Sequence, residues 1–272
     1  MMKLNEIKSC YLGPEISPEQ FVPEHMFIFL AQGVLTGFDG KNRHQLHAGQ
    51  CCVVRKNHLI RYNKQPINGH FEKVVVIFEQ SFLQGFADKY PINLEHVVPQ
   101  QAYVEVQLSS LLQNFIHSLA PYYQGAGNIN QRFAELKREE LLLILLQQQP
   151  DLGRILFDFR QPGKLDLKAF MQQNYKFNVT LERFAYLSGR SLAAFKRDFK
   201  EIFQLSPAAW LTSKRLDEAH FLIEQKQQKP SDIYLELGFE NLSHFSFSFK
   251  KRFGYNPSQL KNEKSVRLTD RD

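Results

Sequence analysis

The segment FKRDFKEIFQLSP (Phe195–Pro207) returns as FSFSFKKRFGYNP (Phe245–Pro257), offset by 50 residues. Phe195, Phe199, Lys200, Phe203 and Pro207 fall on Phe245, Phe249, Lys250, Phe253 and Pro257, and upstream Leu192 falls on Leu242. Aromatic residues at i, i+4 and i+8 share one side of a helix. Each copy therefore predicts a helix with a buried Phe stripe and an opposite face left to basic residues. The chain must fold into something that contains the same small unit twice.

A short amphipathic segment precedes each helix. In the first copy Thr180 caps LERFAYLSG, Gly189 breaks it, and Ser191 caps LAAFKRDFKEIF, which Pro207 ends. In the second, Ser231 caps DIYLELG, Gly238 breaks it, and Asn241 caps LSHFSFSFKKRF before Pro257. The glycines are 49 apart and the stripes 50, so the second turn is one residue longer. Two helices joined by a tight Gly-containing turn form a helix-turn-helix, whose second helix can enter a major groove. Between the copies, SPAAWLTSKRLDEAHFLIEQ predicts one long helix carrying Trp210, Leu211, Leu216, Ala219, Leu222 and Ile223. It can hold two reading helices about one DNA turn apart.

Charge agrees with this division. The formal net charge is +6, and residues 161–272 hold 19 Lys+Arg against 13 Asp+Glu. That leaves 15 of each sign for residues 1–160, so the whole excess sits with the repeat. A basic region attached to a neutral one suggests a polyanion partner.

The first half has a different pattern. HMFIFLAQGVLTGF, QLHAGQCCVVRKN and FEKVVVIF are short apolar or β-branched runs separated by Gly and polar turns, which predicts a sandwich or small barrel. Cys51 and Cys52 read as one inward and one outward strand residue. After Pro99 the pattern turns helical: Leu108, Leu111, Leu112, Phe115, Ile116 and Leu119 have helical spacing, and NQRFAELKREELLLILLQQQ predicts a second long helix. LKREELLLILL can pack on its neighbour or form a dimer seam. FRQPGKLD (Phe159–Asp166) is the best linker. The expected fold class is thus α+β. A β domain (1–100) and a helical linker or dimerisation region (101–160) precede an all-α domain (161–272) of two helix-turn-helix units joined by a long helix.

No apolar run reaches the ~18 residues of a membrane span, and the N-terminal stretch lacks the apolar centre of a secretory signal. Cys10, Cys51 and Cys52 cannot all pair and have no CxxC spacing, so they read as reduced thiols in a cytoplasmic protein. His44 and His47 in HQLH raise a metal site, but a metal-binding cupin needs an HxH pair with a later Glu and His, and HQLHAGQCCVVRKNH has no such set. No metal and no cofactor are expected.

FAYLSG, FKRDFKEIFQLSP, Trp210, Arg215, Ala219 and GFENLSHFSFSFKKRFGYNPSQ together resemble the DNA-binding domain of the AraC/XylS transcription regulators, over roughly Leu165 to Leu260. The N-terminal half fits the usual partner of that domain, a cupin-like β domain followed by two helices. More narrowly, HAGQCCVVRKN, SFLQGF and LKREELLLIL look like the ExsA-type regulators of type III secretion. The resemblance implies double-stranded DNA as partner, contacted by Arg190, Ser191, Ala194, Lys196, Arg197 and Lys200 in the first unit. In the second unit the contacts would be Leu242, Ser243, Ser246, Phe247, Lys250 and Lys251. Arg197 can bind a guanine edge bidentately, while Lys200, Lys250 and Lys251 suit phosphate. Two departures from the family stand out. Phe247 replaces a common polar or basic reader, and Tyr234 replaces a small residue, so the first unit should read sequence more strictly.

The expected function is a sequence-specific regulator, an activator working with RNA polymerase, as a homodimer and away from membranes. A small ligand or a protein partner at the β domain would control it. A lumen filled by bulky apolar residues favours the protein partner; an open pocket with convergent polar groups favours a ligand. The alternative from another class is a metal-dependent cupin enzyme fused to a DNA-binding domain.

Overall fold

The strands of the first half are short because a turn residue interrupts each apolar run. They are β1 (Lys8–Tyr11), β2 (Phe21–Val22), β3 (His25–Gln32), β4 (Val34–Phe38), β5 (Arg43–His47), β6 (Cys51–Val54), β7 (His58–Leu59), β8 (Arg61–Gln65) and β9 (Glu72–Phe78). Helix α1 (Gln80–Lys89) and strand β10 (Tyr103–Val106) follow, then helices α2 (Ser110–Leu119), α3 (Gln131–Gln148) and α4 (Leu152–Leu156). This computed structural model describes residues 8–11, 20–90, 101–123 and 131–260. The N-terminal stretch read for a signal sequence, the Cys10 side chain and the boundary near residue 100 lie outside the described residues. The chain divides into two units, Met1–Gln161 and Pro162–Asp272.

In the first unit, β1, β9, β3, β6 and β10 form an antiparallel five-stranded sheet in that order. β5, β4 and β8 form a three-stranded sheet, and β2 pairs with β7. Successive strand residues point to opposite faces, and here both faces are covered. Phe27, Cys51, Val53, Val74, Val76 and Phe78 pack with Leu83 and Phe86 of α1, Phe115 of α2, Leu141 and Leu145 of α3, and Leu152 of α4. Their neighbours Ile28, Leu30, Cys52 and Val54 turn the other way, onto Leu35, Leu46, Ile60, Tyr62 and Phe71.

That double cover corrects the reading of the Cys pair. Cys51 and Cys52 do face opposite ways, but both are buried, because the sheet has a layer on each side. Burial pushes both thiols up to about 12, so they stay protonated at neutral pH and are poor nucleophiles. A second difference concerns the region expected to be helical from residue 101. It begins with strand β10, which pairs with β6 through Val104↔Val53. Four residues in front of a helix are too few for a period of two to register.

Helix α3 buries Ala134, Leu141, Leu142, Ile144 and Leu145 and leaves Phe133, Leu136 and Leu143 exposed. Near the end of this unit, Arg55 reaches Asp158 at 3.2 Å, and residues 159–165 then run on without helix or strand. The second unit is helical: α5 (Leu167–Asn174), α6 (Leu181–Leu187), α7 (Leu192–Phe203), α8 (Pro207–Lys226), α9 (Pro230–Ile233) and α10 (Leu242–Phe253). Among the described residues, no helix is long and apolar enough to cross a membrane.

Candidate nucleic-acid interface

Helix α6 starts at Thr180, whose hydroxyl accepts from the Arg183 amide, and α7 starts at Ser191, which accepts from the Ala194 amide. The turn between them needs Gly189. Its φ is +67°, and a Cβ there would run into the backbone of Gly163 and Lys164. The stripe of α7 is core: Phe195 and Phe199 are fully buried, and Trp210 of α8 lies 5.6 Å from the Phe199 ring and 4.6 Å from the Phe203 ring. Pro207 does not end α7. Gln204 does, in the left-handed conformation, and Pro207 is the first residue of α8 behind the Ser206 cap. Proline suits that position because the first helical amides have no intrahelical partner.

The second unit repeats the plan with one altered part. Helix α9 is a single turn opened by Pro230, so Lys229 occupies the cap position; the Ser231 hydroxyl instead donates to Asp232 at 2.8 Å. Asn241 caps α10 by accepting from the His244 amide, and Gly254 closes it at φ +87°. Phe245 and Phe249 are fully buried with Leu216, Ala219 and Ile223 of α8. Tyr234 is half-buried and packs against this same cluster.

The residues proposed from sequence lie at the start of each helix and on the faces turned away from the stripe. Ser191, Lys196, Arg197 and Lys200 are exposed on the first helix-turn-helix, with Ala194 half-buried. On the second, Leu242, Ser243, Phe247, Lys250 and Lys251 are exposed and Ser246 is half-buried. Phe247, at 69%, is the most exposed of the large hydrophobic side chains among the described residues.

Arg190 is the exception. Its side chain is only 8% exposed, with Nε 3.1 Å from Asp198 Oδ2 and Nη1 donating to the carbonyls of Leu165 and Ser188. These bonds consume the guanidinium in holding α6, α7 and the incoming linker together, so it is not a free reader. Asp198 was missed from sequence. Its second oxygen takes Arg197 Nη2 at 3.1 Å, and the two arginines, Arg190 foremost, hold its carboxyl below the usual range. Only the acid beside Arg197 in FKRDFK hinted at this. His44 lies 3.3 Å from Asp39, and His47 is exposed. Among the described residues, no three His, Cys, Asp or Glu side chains gather as a metal site.

Two family models match separate parts of the chain. The sequence model of the ExsA N-terminal regulatory domain matches residues 25–154, and that of a helix-turn-helix domain matches residues 185–263. The virulence regulon transcriptional activator VirF of Yersinia enterocolitica is 27% identical over 96% of this chain and 97% of its own. The chain belongs to the AraC/XylS family of transcription regulators. Within that family it falls in the ExsA-type group. The regulator ExsA of Pseudomonas aeruginosa is 27% identical over 95% of this chain and 94% of its own. An uncharacterized HTH-type transcriptional regulator of Haemophilus influenzae is 40% identical over 60% of this chain and 54% of its own.

Proposed function

We propose that this AraC/XylS-family chain reads two successive major-groove segments of double-stranded DNA with α7 and α10, and activates transcription by engaging RNA polymerase beside that site. One observation carries the reading. In both copies the aromatic stripe is spent on the core while the opposite face presents exposed cations, Lys196, Arg197 and Lys200 in one and Lys250 and Lys251 in the other. Helix α8 has 20 residues, or ~30 Å, comparable to one turn of B-DNA. Activation follows the role of its relative VirF, a transcriptional activator. Binding duplexes selected from a random pool, then footprinting them, tests this. Two protected stretches about one turn apart on one face are expected, and selection that enriches no sequence defeats the reading.

Control is proposed to come from a protein partner rather than a small ligand. The space between the two sheets is occupied by Ile28, Leu30, Leu35, Val54, Ile60, Tyr62 and Phe71. The exposed Phe133, Leu136 and Leu143 recur at i, i+3 and i+10 on α3, a seam suited to a second copy of the chain.

The site assignments carry their own test. The Arg197 side chain is 76% exposed, and its tip meets Asp198. Turning to guanine O6 and N7 leaves Asp198 still paired with Arg190, so the switch strands no charge. Arg197→Ala should cost ~1–3 kcal/mol and relax preference at one base position. Phe247→Ala removes apolar contact alone and should cost less, with little change in preference. Lys250→Ala should weaken all sequences about equally and lower the salt slope by about one. Titration of the three variants against a site library checks the order. If Phe247→Ala shifts preference more than Arg197→Ala, the second unit is the principal reader.

A further inference from the structure

Arg215, halfway along α8, touches both helix-turn-helix units at once. Its Nε donates to the Tyr175 carbonyl at 2.7 Å and its Nη2 to the Phe177 carbonyl at 2.8 Å, both in the loop between α5 and α6. Its Nη1 donates to the Gly238 carbonyl at 2.9 Å, in the turn that leads to α10. Burial lowers its pKa to about 10, so it remains a cation at neutral pH with its fork of donors committed. Gly238 is shaped to this contact. At φ +86° a Cβ would lie 2.8 Å from the Lys176 carbonyl and 2.9 Å from the guanidinium carbon. The loop before the first helix-turn-helix and the turn of the second are thus in direct reach of each other across Arg215. Lys176 adds a bond to Glu218 of α8 at 2.7 Å. A bidentate planar donor fixes direction as well as distance, which a lysine in its place does not.

We infer that Arg215 is a positioning residue that locks the two reading helices into one block and so sets the spacing of the two DNA segments the protein accepts. This rests on the DNA reading proposed above. A rigid pair of heads cannot follow a change in spacing, so the mismatch falls on the DNA as deformation or on lost contacts. One inserted base pair turns the second segment by roughly 35° and shifts it ~3.4 Å, beyond the latitude of a hydrogen bond.

The test is the affinity of the full-length protein for a selected site and for versions with one or two base pairs added or removed between the segments. Wild type should lose ~10-fold or more with one base pair inserted, the order of one lost base contact. Arg215→Met should bind the reference spacing about 10-fold more weakly, yet lose under ~3-fold on insertion, since its heads adjust independently. A variant that is merely less stable would keep the wild-type ratio between spacings. An unchanged ratio in folded Arg215→Met overturns the proposal, as does a wild type that binds every spacing equally. A wild type that binds no duplex overturns the functional reading itself. Should Arg215→Met not fold, Arg215→Lys is measured the same way: it should lower the ratio, and a wild-type ratio in it overturns the proposal.

Discussion

Raising monovalent salt from 50 to 200 mM should weaken binding of this protein to its duplex by about 10³–10⁵-fold. The range follows from how many cations are free to displace counterions. Of the 19 Lys and Arg from residue 161 onward, Arg190 and Arg215 are spent on internal carbonyls, Lys176 pairs with Glu218, and Arg252 pairs with Asp217. Lys261, Lys264, Arg267 and Arg271 lie outside the described residues. Lys196, Arg197, Lys200, Lys250 and Lys251 remain exposed on the two reading helices, with Lys164, Lys168, Lys214, Lys226 and Lys229 exposed around them. About 6–10 phosphate contacts give a log–log slope of roughly −5 to −9. Salt also loosens the Arg197–Asp198 pair, which would favour binding, but an exposed pair is worth at most ~1 kcal/mol and cannot offset the counterion term. Residues 1–160 carry no net charge, and the second unit has its own buried Phe cores. A fragment from Lys164 onward should therefore fold and retain most of the slope. A slope near zero in either form removes nucleic acid from the account.

How much of this was visible in the sequence depends on whether a feature is local. The Phe stripes and the caps Thr180, Ser191 and Asn241 act within one or two helical turns, so spacing alone located them. Ser231 misled because Pro230 beside it has the stronger claim on the helix start: its fixed φ and missing amide suit the first position. β10 escaped because it exists only by pairing with β6, fifty residues earlier in the chain. The fates of Arg190 and Arg215 were illegible for a related reason. Both look like surface cations on a basic domain, and only the convergence of turns remote in sequence supplies the carbonyls that consume them. The two buried cysteines make the same point for the sheet: alternation told which way each faces, but not that both sides are covered.

Acidification should destabilise the N-terminal unit through His25, by roughly 2.5 kcal/mol between pH 7 and 4.5. His25 opens β3 and is fully buried. Its Nδ1 accepts from the Lys56 amide at 3.3 Å, which leaves the proton on Nε2, and Nε2 finds no hydrogen-bond partner among the described residues. Burial above all, then the cations of Lys56 and Arg55 and the neighbouring His58, lower its pKa to about 3; Asp158 opposes them weakly. The unfolded chain binds this proton near the ordinary value of 6.5 and the folded one does not. Between those two values the unfolded state therefore holds more protons, and stability rises with pH. The contribution is complete above pH ~6.5 and is lost as pH falls toward ~3, at ~1.4 kcal/mol per unit. Urea unfolding of the full chain, followed by circular dichroism at several pH values, measures the loss. Trp210, the only tryptophan, sits in the second unit, so its emission reports that unit separately. The carboxylates also titrate in this range, and His25→Gln isolates the histidine, since glutamine keeps an acceptor and takes no proton. The sheet's transition in wild type should fall about 2.5 kcal/mol further than in His25→Gln over that interval, while the Trp210 transition moves equally in both. Parallel curves for the sheet would mean that folded His25 accepts a proton as readily as the unfolded chain does. Water would then reach Nε2 in the folded unit, against its burial beside the Lys56 amide.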